Sequence, residues 1–355
     1  MTTALARPPR PKSRVPLVAV LLAVTLAVAL VMAVAVGAVP LTLAQVFSGL
    51  GARLSDGPLD ADQSLNAAVV WDLRLARALT AVIVGASLAT CGAAMQGLFG
   101  NPLADPGLVG VSSGASLGAI AVVVLQISVF GIWTLPVGAF LAGMVTTFLI
   151  YGLARPGKEG ADSSRLLLVG IAINAISGSI SGFLTYLATT EQLQGLTFWS
   201  MGSLGSARWL TLAITTPPAI VGVALLLVWA RSLDLLALGE RQARHLGVDV
   251  LRLRRRLIFV TALLVAAAVS FNGTIGFVGL VVPHLFRLMI GPGHRLLIPF
   301  SAAGGALLML LADIAARTLD PPNEMPIGVI MGALGGPFFL WMIWRGKAMR
   351  GGDQG

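Results

Sequence analysis

The chain consists of long apolar runs separated by short polar links. A helix needs about 20 mostly apolar residues to cross a bilayer, and runs of about that length recur along most of the sequence. We therefore predict an all-α polytopic membrane protein, with a single transmembrane domain at 16–345 and tails at 1–15 and 346–355. The ten predicted spans are 16–38, 73–98, 110–128, 131–153, 165–188, 208–230, 256–271, 275–290, 296–317 and 326–344.

The composition also indicates that lipid is the solvent of this fold. Hydrophobic residues make up 56% of the chain and charged residues 11%, whereas soluble domains carry about 25% charged residues. These values exclude a soluble enzyme. The single cysteine, Cys91, excludes an internal disulfide and any multi-cysteine zinc or iron–sulfur site.

The distribution of basic residues predicts the orientation. If the N-terminus is cytoplasmic, 19 of the 24 lysines and arginines lie inside. Such an excess agrees with the positive-inside rule, so both termini are predicted to be cytoplasmic, and the net charge of +9 reflects basic loops rather than nucleic-acid binding. The five basic residues predicted to lie outside are Arg53, Arg74, Arg77, Arg208 and Arg317.

Few ionisable residues are predicted at membrane depth, where ion-coupled transporters carry them. Asp313 precedes Arg317 by four residues, which favours an ion pair on one helix face. Asn174 and Asn272 fall in or near spans and either form interhelical hydrogen bonds or line a polar path. An ion-coupled secondary transporter and a membrane-embedded enzyme therefore remain as weaker alternatives.

The sequence contains an incomplete phosphate-loop motif and three scattered histidines. Residues 152–158 read G-L-A-R-P-G-K, but Glu159 follows where a phosphate loop needs Ser or Thr, and no strand precedes it. The three histidines have no metal-ligand spacing. We expect this chain to bind neither a nucleotide nor a metal.

Glycines recur at a spacing of four, which lets helices approach closely. We predict that they pack helices within one subunit, with helix sliding during transport as the alternative. These glycines are Gly110, Gly114 and Gly118; Gly178 and Gly182; Gly332 and Gly336.

The longest predicted cytoplasmic loop, 231–256, places apolar residues between charged ones. Leu238, Ala243, Leu246 and Val250 recur at spacings of three to five. This pattern predicts a short amphipathic helix that ends near Gly247. The helix either docks into a groove on a partner protein or touches anionic lipid.

Several stretches resemble the permease subunits of the type II ABC importers for iron–siderophore complexes, heme and vitamin B12. The resemblance covers roughly 65–345, and it departs from the family pattern at Ala76, where the family has proline. The matching stretches are L-R-L-A-R at 73–77, M-Q-G-L-F-G-N-P-L-A-D-P-G-L-V-G-V-S-S-G at 95–114, S-S-R-L-L-L-V-G-I-A at 163–172, the loop segment 232–248, G-T-I-G-F-V-G-L-V-V-P-H-L-F-R at 273–287, L-A-D-I-A-A-R at 311–317 and 323–340.

This resemblance implies the type II importer permease fold, with ten helices, in the bacterial cytoplasmic membrane. It implies a dimer of permeases, two ATPase subunits that hold ATP and magnesium, and a periplasmic or lipoprotein binding protein. No cofactor is expected on this chain. The segment 196–209 and the prolines at 321–326 look most like heme permeases, with ferric siderophores and vitamin B12 as alternative cargoes.

The resemblance also assigns roles to individual residues. It implies that Arg74, Arg77 and Arg317 pair with acidic residues of the binding protein, and that Ser163 and Ser164 form a cytoplasmic gate. The residues that contact the ATPase would be Gly239, Glu240, Ala243, Leu246 and Gly247.

Overall fold

The computed structural model describes residues 14–37, 41–52, 60–154 and 163–351, and every regular element in these ranges is helical. A π-helical turn, Val69–Leu75, joins α3 to α4, and short 3-10 turns occur at Pro106–Val109 and Gly131–Trp133. The α-helices are α1 Val15–Ala35, α2 Leu43–Ala52, α3 Ala61–Ala68, α4 Ala76–Phe99, α5 Val111–Val124, α6 Thr134–Leu153, α7 Ser163–Tyr186, α8 Thr190–Met201, α9 Trp209–Val228, α10 Ala230–Leu236, α11 Glu240–His245, α12 Val250–Asn272, α13 Val278–Ile290, α14 His294–Thr318 and α15 Ile327–Gly351.

Each of the ten predicted spans falls on one of these helices, and the all-α membrane fold is confirmed. Within the described residues, six helices are long and apolar enough to cross a bilayer unaided. Three further apolar helices are shorter, namely α5, α13 and the first part of α15. The count of ten spans therefore stays a prediction.

Two boundaries differ from the prediction. The span predicted to begin at 73 is part of a continuous helical segment, α3, the π-helical turn and α4, which begins at Ala61, where Asp60 and Gln63 form a capping box. At the other end of the chain, α15 continues to Gly351, beyond the predicted domain end at 345. Residues 1–13 and 352–355 of the predicted tails, and most of the 152–158 motif, lie outside the described residues.

The pattern of apolar runs does not mark α8, although a local signal does. Thr189 accepts a hydrogen bond from the Gln192 backbone, and the Gln192 side chain returns one to the Thr189 N–H. This pair is the capping box of a helix start. The segment after α7 is therefore a separate helix rather than a loop.

Helix α4 lies at the centre of the protein, packed against α14, α13, α12 and α9. Glycine makes this close packing possible. A Cβ on Gly85 would lie 2.2 Å from the carbonyl oxygen of Gly305 in α14, and a Cβ on Gly92 would lie 1.9 Å from that of Gly279 in α13. The helix backbones therefore touch at both points.

The glycines at four-residue spacing fall into two groups. Those at 110, 114 and 118 face α6 closely, because a Cβ on Gly114 would lie 2.3 Å from the Thr146 hydroxyl oxygen. This group packs within the subunit as predicted. The intrasubunit prediction is wrong for Gly178, Gly182, Gly332 and Gly336, because a Cβ at any of them would meet nothing within 4 Å.

Replacing Gly92 with alanine should destabilise the protein, because α4 and α13 would have to move apart. Overpacking of this kind costs about 1–3 kcal/mol, and occasionally more. Cys91 is buried and is the only cysteine, so a thiol-reactive dye would follow thermal unfolding in detergent. Gly152→Ala is the matched control, since nothing lies within 4 Å of that site. Equal melting temperatures of the two variants would contradict the proposed contact.

Candidate functional site: the coupling loop and the two ends of the helix bundle

The loop between α9 and α12 contains two short helices, α10 and α11. Gly239 adopts φ +108° immediately before α11, and Gly247 adopts φ +85° just after it. Both values lie in the left-handed region that glycine tolerates best. The predicted short helix is therefore present, and it ends where the sequence places its end.

The apolar residues of this loop do not share one face, contrary to the single amphipathic face predicted for them. Ala243 and Val250 are buried, whereas the side chains of Leu238 and Leu246 are 61% and 57% exposed. The loop is held from within by its buried residues. Leu238, before α11, and Leu246, after it, remain exposed and available to a partner.

Glu240 fixes α11 to the start of α12. One carboxylate oxygen accepts a hydrogen bond from the Arg254 Nη2, and the other lies 3.2 Å from the Arg244 Nη2. Arg254 is 1% exposed, so this ion pair joins the loop to the protein interior. The residue that the resemblance assigns to ATPase contact thus also determines the shape of the loop.

The opposite end of the bundle contains a buried ionic cluster of three arginines and two acids. The Arg77 Nε lies 2.8 Å from the Asp313 Oδ1, and its Nη1 contacts both oxygens of Glu324 at 2.8 and 2.9 Å. The Arg317 Nη2 lies 3.1 Å from the Asp313 Oδ2, which confirms the predicted pair. The cluster comprises Arg74, Arg77, Arg317, Asp313 and Glu324.

Arg74 and Arg317 hold the C-terminal end of α1. Arg74 Nη1 donates to the carbonyls of Val34 and Ala35 at 2.9 and 2.7 Å. Arg317 donates to those of Ala33 and Val36 at 3.1 and 3.0 Å. Carbonyls at a helix C-terminus lack intrahelical partners and attract cations.

These contacts show that the three arginines expected to meet a binding protein are already paired within the chain. Arg74, Arg77 and Arg317 are 6%, 9% and 6% exposed, because α1 and Asp313 supply partners that the sequence pattern does not reveal. Their role in contacting a binding protein stays a prediction. Glu324, which was not singled out beforehand, is the acid of this cluster nearest to solvent, with its side chain 43% exposed.

The predicted path residues form local contacts. Asn174 of α7 accepts a 2.6 Å hydrogen bond from the Ser113 hydroxyl of α5, which agrees with the interhelical interpretation. The Asn272 amide instead donates to Ala268 in its own helix at 2.8 Å, so the interhelical interpretation is wrong for this residue. Ser163 and Ser164 begin α7, and their side chains lie outside the described residues.

Gln96, near the end of α4, compensates for a proline in α13. Pro283 has no N–H, so the Gly279 carbonyl lacks its usual helical donor. The Gln96 Nε2 donates to the carbonyls of Gly279 and Leu280 at 3.2 and 3.3 Å. Its oxygen accepts from Arg287 at 2.7 Å. The M-Q-G motif therefore joins α4 to a helix that proline would otherwise weaken.

Asp234 of α10 links the loop between α9 and α12 to α14. Its Oδ1 accepts the backbone N–H of His294 at 2.7 Å and lies 2.7 Å from the His294 Nδ1. The other face of His294 lies against Gly97, where a Cβ would be 2.3 Å from the Nε2. The sequence signal for this contact is weak, because 60 residues separate the two partners.

Asp105 is a structural cap in the loop after α4. Its carboxylate accepts the Gly107 N–H at 2.7 Å, at the start of the 3-10 turn. Burial raises the pKa of the Asp105 carboxyl, and the hydrogen bond from Gly107 opposes that shift. The contact stabilises a turn, so an ion-coupling role is not needed to explain this acid.

Comparison with known proteins places the chain among transport permeases. Residues 25–345 match the FecCD transport family. The hemin transport system permease protein HmuU of Yersinia pestis is 47% identical over 287 residues, which cover 80% of this chain and 85% of that protein. The vitamin B12 import system permease protein BtuC of Vibrio cholerae is 42% identical over 290 residues, covering 81% and 86%.

A solved structure agrees with these sequence matches. A chain from an inward-facing conformation of a metal-chelate type ABC transporter superposes with a TM-score of 0.81 and 31% identity. The match covers 93% of this chain and 99% of that one.

Proposed function

The chain belongs to the FecCD transport family and is a multi-pass ABC importer permease, and from this premise we propose that it carries heme into the cell. The observation that supports heme is the 47% identity to a hemin permease, against 42% for a vitamin B12 permease. Heme is a large, flat, mostly apolar molecule with two carboxylates. A wide and weakly apolar path suits its passage, because tight ligation would trap it.

We further propose that ATP is hydrolysed on two partner ATPase subunits, which also hold magnesium, and that a binding protein delivers the cargo. The coupling loop supports the first part, since Glu240 and Arg254 fix α11 while Leu238 and Leu246 stay exposed. Exposed apolar side chains that flank a fixed helix are suited to docking into a partner's groove. In this arrangement the chain binds no cofactor and no nucleic acid.

A second copy of the same chain would complete the translocation path. Gly178 and Gly182 of α7, with Gly332 and Gly336 of α15, support this arrangement, because a Cβ at any of these four positions would meet nothing within 4 Å in the subunit. Both termini lie in the cytoplasm in the proposed orientation, which places α11 on the same side as the ATPase. The bacterial cytoplasmic membrane is the corresponding location.

Reconstitution in liposomes with the ATPase and the cognate binding protein tests this proposal. We expect hemin to accumulate inside when ATP is supplied, and to stay outside when the ATPase carries an inactivating substitution. Accumulation should persist with ionophores present, which separates an ATP-driven importer from an ion-coupled carrier. Uptake of a ferric siderophore or vitamin B12 without hemin would overturn the cargo and leave the importer assignment in place.

A further inference from the structure

An apolar cavity of about 380 Å³ opens on the protein surface between α6 and α12. Phe148 and Tyr151 of α6 and Ile258 and Phe259 of α12 form its walls. The rings of Phe148 and Phe259 lie 6.0 Å apart, and both side chains are nearly half exposed. In a membrane protein such a cavity faces acyl chains or a partner rather than water.

The same cavity is also lined by Arg255 and Arg256. Four arginines occur at 252, 254, 255 and 256, near the start of α12, where the helix dipole disfavours cations. Arg252 pairs with Asp249 at 3.3 Å, and Arg254 pairs with Glu240. Within the described part of the chain, neither Arg255 nor Arg256 has a carboxylate within ion-pair distance.

Arg256 faces an aromatic ring. Its guanidinium lies 6.0 Å from the centre of the Trp229 ring, at the outer limit of a cation–π contact. This contact leaves the charge largely uncompensated. The cavity therefore combines apolar walls with two cations for which the described residues supply no carboxylate partner.

The spacing of these groups fits one class of molecule. Arg255 and Phe259 are four residues apart, so they share a helix face about 6 Å apart. A ligand of matching shape has an anionic head beside an apolar chain. Basic pockets between transmembrane helices on the cytoplasmic side are suited to anionic lipid headgroups.

We propose that this cavity binds an anionic phospholipid of the cytoplasmic leaflet. Its phosphate pairs with Arg255 and Arg256, and the first part of an acyl chain lies along Phe148 and Phe259. The proposal rests on the cytoplasmic placement of the start of α12 proposed above. The site borders the coupling loop, because Arg254, which holds Glu240, immediately precedes Arg255.

Native mass spectrometry of the full-length chain in detergent tests the site. The protein is titrated with phosphatidylglycerol or with phosphatidylcholine of the same acyl chains. We expect a preference for phosphatidylglycerol that falls roughly 30-fold in R255Q/R256Q, which corresponds to about 1 kcal/mol for each arginine. The matched control R231Q/R295Q removes two exposed arginines elsewhere and should bind lipid like the parent. Phe259→Ala should weaken both lipids equally.

Three results would overturn the proposal. Equal losses in R255Q/R256Q and R231Q/R295Q would mean diffuse surface charge rather than a built site. Displacement of the lipid by excess inorganic phosphate would mean that the arginines bind any small anion. Release of the lipid on assembly with the ATPase would mean that a protein partner covers this surface. The titration needs neither cargo nor ATP, so its failure is distinguishable from a failure of hemin transport.

Discussion

Replacing Asp313 with asparagine should cause a large loss of stability. The Asp313 side chain is fully buried between the guanidinium groups of Arg77 and Arg317. Asparagine keeps the shape of the side chain but removes the charge that both arginines share. Breaking a buried ion pair from one side costs about 3–5 kcal/mol, which is a large share of a typical stability of 5–15 kcal/mol.

Glu324→Gln provides the matched control, because it makes the same charge change beside the same Arg77. The Glu324 side chain is 43% exposed, and exposed ion pairs contribute only about 0–1 kcal/mol. Thermal unfolding followed through the buried Cys91 thiol should therefore show a large shift for Asp313→Asn and a small one for Glu324→Gln. Similar shifts in the two variants would show that the cluster is not desolvated in the membrane.

The ionic cluster also illustrates which contacts the sequence could predict. The Asp313–Arg317 pair follows from a spacing of four within one helix. The Arg77–Asp313 contact does not, because 236 residues separate its partners. The burial of Arg74 depends on where α1 ends, and that position is a property of the packed structure.

The long helices could be predicted from the sequence, but several of the short ones could not. Long apolar runs locate the spans, because length and hydrophobicity alone determine whether a segment can enter a bilayer. Short helices such as α8 and α10 depend on caps and tertiary contacts. The pattern of apolar runs does not reveal either. The exposure of Leu238 and Leu246 and the burial of Ala243 likewise follow from how α11 packs on α12.

Replacing Glu240 with lysine should strongly reduce coupled transport. A lysine here would place a cation beside Arg254, which is 1% exposed and paired with Glu240 in the parent. The like charges would displace α11 from the start of α12. Each 1.4 kcal/mol of lost preference for the ordered loop lowers the ratio of ordered to displaced loop about tenfold. We expect the charge reversal to make the displaced loop predominant, with at least about a tenfold loss of hemin uptake.

Measurements of ATP hydrolysis and hemin uptake in the same liposomes show where the defect of Glu240→Lys lies. Glu240→Gln keeps an acceptor for Arg254 and should lose less activity than Glu240→Lys. Glu191→Lys makes the same charge reversal at an exposed position in the first turn of α8 and should transport like the parent. The thiol-dye melt should show that Glu240→Lys remains folded, because the Glu240 side chain is 34% exposed and displacement of the loop lets water reach Arg254. If this variant still stimulates ATP hydrolysis by its partner as the parent does, the loop around Glu240 is not the coupling element.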